Sequence, residues 1–210
     1  MNYLLSYPRS GNTWLRYCIE TLSGIRTIGY LNSDLKDKGV LEKYRNDQNV
    51  ILIKRHETKE ITKNDKLILI IRDYNEVLIR HKGVSHNIIK ESGNTSPVNY
   101  LSLIEFYESF SGDKILIFYE DLITDTRSNI ERVLSFLEIT VTDETISSFF
   151  ENIELHKTKS IDLYGESKTK GRVDVRHSSI LSKDKKDKNK NFLKEKYSDL
   201  YSKYLNRYGE

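Results

Sequence analysis

Tyr7-Pro8-Arg9-Ser10-Gly11-Asn12-Thr13-Trp14 stands directly after a short apolar run, Tyr3-Leu4-Leu5-Ser6-Tyr7, and directly before an amphipathic stretch. The run predicts a buried strand that ends at Pro8, because proline cannot donate to a ladder. Trp14, Leu15, Cys18, Ile19 and Leu22 then recur at helical spacing, and Gly24 suits the C-terminal cap of that helix. Strand, glycine-containing turn, helix is the order of an α/β entrance for phosphate. Small residues let backbone N–H groups face outward at a helix N-terminus, where the dipole adds positive potential. Arg9 adds a cation, and Ser10 and Thr13 offer hydroxyl donors. The same residues also suit an ordinary strand-to-helix turn capped by Ser10 or Asn12. It is not a Walker A loop, since the second glycine and the Gly-Lys-Ser/Thr ending are missing.

Three further apolar runs, Val50–Ile53, Leu67–Ile71 and Ile115–Tyr119, are rich in β-branched residues and do not alternate with polar ones. Such runs predict strands covered on both faces, so the fold class is α/β with a central parallel sheet flanked by helices. Helical patterns fill the intervals, around Asn75–Lys90 and Val98–Phe110, with residues 93–97 as a break. Ile130, Val133, Leu134 and Leu137 form one apolar stripe. Ile146, Phe149, Phe150 and Ile153 form another, in a helix opened by Thr142 as N-cap. The lysine-rich stretch from 157 to 190 carries only short apolar islands and reads as a surface loop that orders on ligand binding. A last helix, 191–208, presents Tyr197, Leu200, Tyr201, Tyr204, Leu205 and Tyr208 on one stripe.

At 210 residues the chain fits a single domain, 1–210. Its 34 Lys and Arg against 31 Asp and Glu leave a net charge of only +3, with the signs interspersed, which argues against a nucleic-acid partner. Cys18 is the lone cysteine, so no internal disulfide forms and a reducing, cytoplasmic setting is expected. No run approaches the roughly 18 to 20 apolar residues of a membrane span, and the N-terminus lacks a signal-peptide pattern.

Open α/β sheets bind ligands beyond the carboxyl ends of their strands. Of the four expected strands, the first leads to Arg9, the second ends in Lys54-Arg55-His56 and the third in Arg72-Asp73. Three strands thus deliver cations or an imidazole to one rim. A histidine there suits proton removal near neutral pH, although a surface histidine in a basic loop fits the same spacing.

The motif 7–14 after a strand, Lys54-x-His56 after the second, Arg72 ending a buried strand, and Phe118-Tyr119-Glu120-Asp121-Leu122 before a helix follow one another as in a known family. In that order they resemble the sulfotransferases that use 3'-phosphoadenosine 5'-phosphosulfate (PAPS). The resemblance spans residues 3 to about 155 and implies a P-loop-like three-layer fold, PAPS as donor and adenosine 3',5'-bisphosphate (PAP) as product. It implies that Arg9, Ser10, Gly11, Asn12, Thr13 and Trp14 hold the 5'-phosphosulfate and that Arg9 also touches the bridging oxygen. By the same resemblance His56 is the general base and Lys54 steadies the leaving phosphate. Arg72 binds the 3'-phosphate, and Tyr119 packs by the adenine. Arg80 stands where the family has a serine on the 3'-phosphate. Lys170, Gly171 and Arg172, with Thr169, resemble the segment that closes over that phosphate, though the second glycine and tryptophan of the family are absent around Asp174. The chemistry needs no metal. The acceptor is an unidentified small molecule or glycan, enclosed by loops around 25–48 and 83–97. Two other readings remain open: a nucleotide-dependent kinase, with Asp73 and Asp121 as its available acidic residues, and a nucleotide- or glycan-binding module without catalysis.

Overall fold

Residues 1–29, 49–82, 97–163 and 181–209 are described by the structure, a computed structural model. Among them five strands form one parallel sheet: β1 (Asn2–Ser6), β2 (Arg26–Ile28), β3 (Val50–Arg55), β4 (Lys66–Ile71) and β5 (Lys114–Phe118). Their order is β2-β3-β1-β4-β5. β1 therefore lies between β3 and β4, with Leu4 opposite both Lys54 and Ile68. Because all strands point the same way, the residues that follow β1, β3, β4 and β5 emerge along one edge.

Alternate strand residues feed two cores. Leu4, Leu52, Ile68, Ile70 and Ile117 pack with Leu15, Cys18 and Leu22 of α1 (Asn12–Ser23) and with Ile130, Val133 and Leu134 of α5 (Thr126–Phe136). On the opposite face, Tyr3, Leu5, Ile53, Leu67 and Leu69 meet Val77 and Leu78 of α2 (Tyr74–Lys82) and Leu101 and Ile104 of α3 (Pro97–Ser109). Each such buried side chain contributes about 1.5–3 kcal/mol through removal from water. The expected three-layer α/β architecture is therefore present.

The details depart from the sequence expectations where the apolar pattern is weak. β2 is a fifth strand, only three residues long and too short to make a run. Pro97 belongs to α3 rather than to the break before it, as proline suits a first helical position. Next to β5 a short α4 (Tyr119–Thr124) precedes α5, and α6 (Asp143–Glu151) is capped by Thr142, whose hydroxyl accepts from the Thr145 N–H.

The expected loop at 157–190 is helical at both described ends. α7 (Ile153–Leu163) occupies its start, and α8 (Lys183–Lys196) its end. Polar residues take buried stripe positions in both helices, which hides their period. In α7 the His156 ring stacks 4.2 Å from that of Phe149, and in α8 the buried Asn189 donates to Asn75 of α2 at 2.6 Å. The final helix thus begins at Lys183, not 191, and ends at Lys196. After it, α9 (Ser198–Leu200) runs into a π-helical turn, Tyr201–Leu205, and a 3-10 turn, Asn206–Tyr208. Tyr201, Tyr204 and Leu205 are buried there, as the tyrosine stripe predicts. No helix among the described residues is long and apolar enough to cross a membrane.

Candidate active site

Ser6, the last residue of β1, is the junction of the site, and the sequence reading passed over it. Its hydroxyl donates to Asn12 Oδ1 at 2.7 Å, tying the strand to the start of α1. Its carbonyl lies 2.6 Å from His56 Nδ1. A carbonyl only accepts, so Nδ1 carries the proton and the lone pair of the neutral ring sits on Nε2. His56 follows β3 directly, and the β1–β3 register, Leu5 opposite Arg55, brings it beside Ser6.

Between Ser6 and Asn12 the turn is held in an unusual backbone shape. Arg9 has φ 71° and Gly11 φ 97°, both left-handed. That conformation costs a non-glycine residue about 1–2 kcal/mol. Glycine alone suits residue 11, for a Cβ there would overlap the Tyr119 ring. α1 begins at Asn12 without a side-chain cap, so its first-turn N–H groups are left to other acceptors. Ser10 is fully buried, and its hydroxyl has no hydrogen-bond partner among the described residues. Asn12 turns its side chain inward to Ser6, and the Trp14 ring stacks on Tyr17 with centroids 5.8 Å apart. These two residues therefore build the turn with their side chains and offer a ligand their backbone.

Arg72 follows β4 and reaches under the turn. Its Nη1 donates to the Arg9 carbonyl at 3.1 Å, and its guanidinium lies 3.8 Å from the centre of the Tyr119 ring. Burial draws the Arg72 pKa down; Tyr119 draws it up, nearby Arg80 down, and the carboxylates of Glu76 and Glu120 up. The group stays cationic. Its Nε is buried and has no acceptor among the described residues. Tyr119 is buried between Gly11 and Arg72, so it clamps the turn onto the arginine.

Two acidic residues stand behind this arginine: Glu76, which the sequence reading leaves unnamed, and Glu120, which it names only within the motif at 118–122. Glu76, in the first turn of α2, takes Nη2 of Arg72 at 3.4 Å and pairs also with Nε of Arg80. Glu120 accepts from the Asp73 N–H at 3.2 Å and from the Tyr208 hydroxyl at 2.8 Å. An i, i+4 search from Arg72 finds Glu76 and Arg80; nothing local in sequence points to Tyr208.

Lys54 is half-buried in β3 and lies on the face opposite Arg55. Arg55 is buried and paired with Glu60, which removes it from the rim. Lys170, Gly171 and Arg172 lie outside the described residues, as do most of the loops expected to enclose an acceptor. The carboxylates weighed as magnesium ligands are otherwise engaged. Asp121 forms a bidentate pair with Arg207 at 2.6 and 3.0 Å, and Asp73 caps α2 by accepting from the Asn75 N–H at 2.8 Å. Burial raises the Asp73 pKa. No group of three or more metal-binding side chains occurs among the described residues.

The model of the sulfotransferase domain matches residues 3–207. A WSCD family member of Aedes aegypti is 28% identical over 175 residues, 69% of this chain and 52% of that protein. One from Drosophila pseudoobscura pseudoobscura is 30% identical over 170 residues, 68% and 52%. The chain thus spans about half the length of these relatives. Among solved structures, mouse sulfotransferase SULT7A1 complexed with PAP superposes with a TM-score of 0.65 at 16% identity, covering 95% of this chain and 86% of that one. A retinol dehydratase in complex with androsterone and inactive cofactor PAP gives 0.61 at 14% identity, with 94% and 80% covered.

Proposed function

Because the chain belongs to the sulfotransferase domain family, we propose that it transfers a sulfo group from PAPS to a hydroxyl or amine of a small-molecule or glycan acceptor. The observation that carries this reading is the meeting of three strand ends. His56 and the strained turn both hang on Ser6, and Arg72 hydrogen-bonds the same turn from β4. The fit to a doubly phosphorylated nucleotide is supported by two buried donors, Ser10 Oγ and Arg72 Nε, that lack protein acceptors among the described residues. Buried donors without acceptors are costly, and an anion is the ligand that satisfies them.

When bound, the donor supplies a sulfuryl centre whose S–O bond to the phosphate oxygen breaks as a new S–O or S–N bond forms. His56 Nε2 takes the proton of the attacking group, because Nδ1 is occupied by the Ser6 carbonyl. Arg9, Lys54 and the N–H groups at the start of α1 hold the negative charge that develops on the leaving phosphate. Arg72, braced by Arg9 and Tyr119, holds the 3'-phosphate. The protein's contribution is then positioning and electrostatics.

The direct test is transfer of labelled sulfate from PAPS to a panel of sugars, phenols and amines, run beside calorimetry with PAP and with ATP plus Mg²⁺. PAP binding with sulfate transfer is the expected result. Binding of ATP with Mg²⁺ in preference to PAP would overturn the reading, and PAP binding without transfer or donor hydrolysis would reduce it to a binding module.

A further inference from the structure

Arg72, Glu76 and Arg80 form a triad, buried at Arg72 and Glu76 and partly buried at Arg80, in which a single carboxylate serves two guanidiniums. Glu76 is 3% exposed and Arg72 7%. The formal charge of the triad is +1, where two arginines alone would place +2. The geometry divides the labour within each arginine. Glu76 engages Arg80 through Nε, which does not draw on its Nη groups, and engages Arg72 through Nη2, while Arg72 Nη1 is spent on the Arg9 carbonyl and Nε meets no acceptor among the described residues. The carboxylate therefore fixes both side chains by one edge each.

We propose that Glu76 is a positioning residue that holds Arg72 and Arg80 as one 3'-phosphate subsite and weakens that subsite by one charge. The inference rests on the sulfotransferase reading above. Two guanidiniums held close together, one buried and one partly buried, repel each other, and without a counter-ion their approach is unfavourable in a setting of lowered dielectric. Glu76 supplies that counter-ion inside the protein. The same negative charge stands close to any phosphate that the arginines receive, so it lowers the affinity for a 3'-phosphorylated nucleotide and speeds the departure of PAP. Arg80 is what makes the device necessary, since a small neutral residue at that position would leave Glu76 to neutralise Arg72 outright.

Calorimetry with PAP and with 5'-AMP separates position from charge. Glu76→Gln keeps an acceptor oxygen for both arginines and removes the charge. It should bind PAP at least about tenfold tighter with 5'-AMP affinity unchanged, because one unit charge within about 10 Å at an effective dielectric near 20 is worth more than the roughly 1.4 kcal/mol of a tenfold change. Glu76→Ala removes the brace as well and should bind PAP more weakly than Glu76→Gln. If Glu76→Gln does not fold, the comparison moves to Arg80→Gln against Glu76→Gln/Arg80→Gln, where no two like charges are buried together. The double variant should again bind PAP at least about tenfold tighter than the single one. Equal or weaker PAP binding on removing the charge overturns the proposal, as does an equal change for 5'-AMP. A wild-type protein that fails to prefer PAP over 5'-AMP would instead overturn the assignment of the arginines to a 3'-phosphate.

Discussion

The two ends of the candidate site are built by opposite means. At the β1 end the turn from Tyr7 to Trp14 works mainly through its backbone: left-handed residues 9 and 11, an uncapped helix start, and a buried hydroxyl. At the β4 end the positive charge belongs to side chains, the buried Arg72 and the partly buried Arg80, each paired with Glu76. A preorganised backbone carries partial charges and can approach a sulfuryl centre closely, adding to the side-chain charges of Arg9 and Lys54. Buried arginines carry full charges that need a counter-ion, and they discriminate by the presence or absence of a whole phosphate. The first end is suited to a transition state, the second to recognition.

That division is broken most easily at His56, which belongs to the first end. His56→Ala should lower turnover by about 10²- to 10⁴-fold with PAP affinity nearly unchanged. Single-turnover sulfate transfer and calorimetry on the same preparation check it. A variant with full turnover would remove His56 from proton transfer, and a large loss of PAP binding would show that the two ends are not separable.

The second end should respond in the other sense. Arg72→Gln removes the charge proposed to face the 3'-phosphate and should cost roughly 1.5–3 kcal/mol in PAP binding. Affinity for 5'-AMP should change much less. The ratio of the two dissociation constants is the measurement, and an unchanged ratio would mean that Arg72 braces the turn through the Arg9 carbonyl and does nothing more.

The contrast also governs how much could be read from residues alone. Strands β1, β3, β4 and β5 were legible because parallel strands are apolar on both faces, and the turn was legible because its small residues are contiguous. Arg9, His56 and Arg72 could be placed on one rim for the same reason: His56 and Arg72 directly follow recognisable strands, and Arg9 lies in the turn after another. The supporting residues escaped because their partners are distant or disguised. Ser6 looks like the tail of a strand, although its hydroxyl and carbonyl anchor Asn12 and His56. α8 hides its period by burying Asn189 where an apolar residue is expected, and its register is set by Asn75, 114 positions away.

The C-terminal turn is the sharpest instance, and it yields the smallest expected effect. Tyr208 donates to Glu120 at 2.8 Å, and Glu120 accepts from the N–H of Asp73, the residue next to Arg72. Arg207 reinforces the contact by pairing with Asp121 and lying 4.3 Å from the centre of the Phe118 ring. That ion pair is exposed enough to add little by itself. The Arg207 hydrogen bonds hold the Asp121 carboxyl below its ordinary pKa, so its contribution is present above the unfolded value near 4 and is lost as pH falls through the depressed one. Tyr208→Phe deletes only the hydroxyl and should cost about 0.5–1.5 kcal/mol of stability, read from chemical denaturation. If the chain from Tyr208 through Glu120 to Asp73 steadies the arginine end alone, the variant should also weaken PAP by a few-fold while leaving turnover at saturating PAPS unchanged. A loss of stability with an unchanged PAP to 5'-AMP ratio would make the C-terminal turn a fastening of the fold. A fall in turnover would instead extend its influence across β1 to the catalytic end, and the two ends would then have to be treated as one mechanical unit.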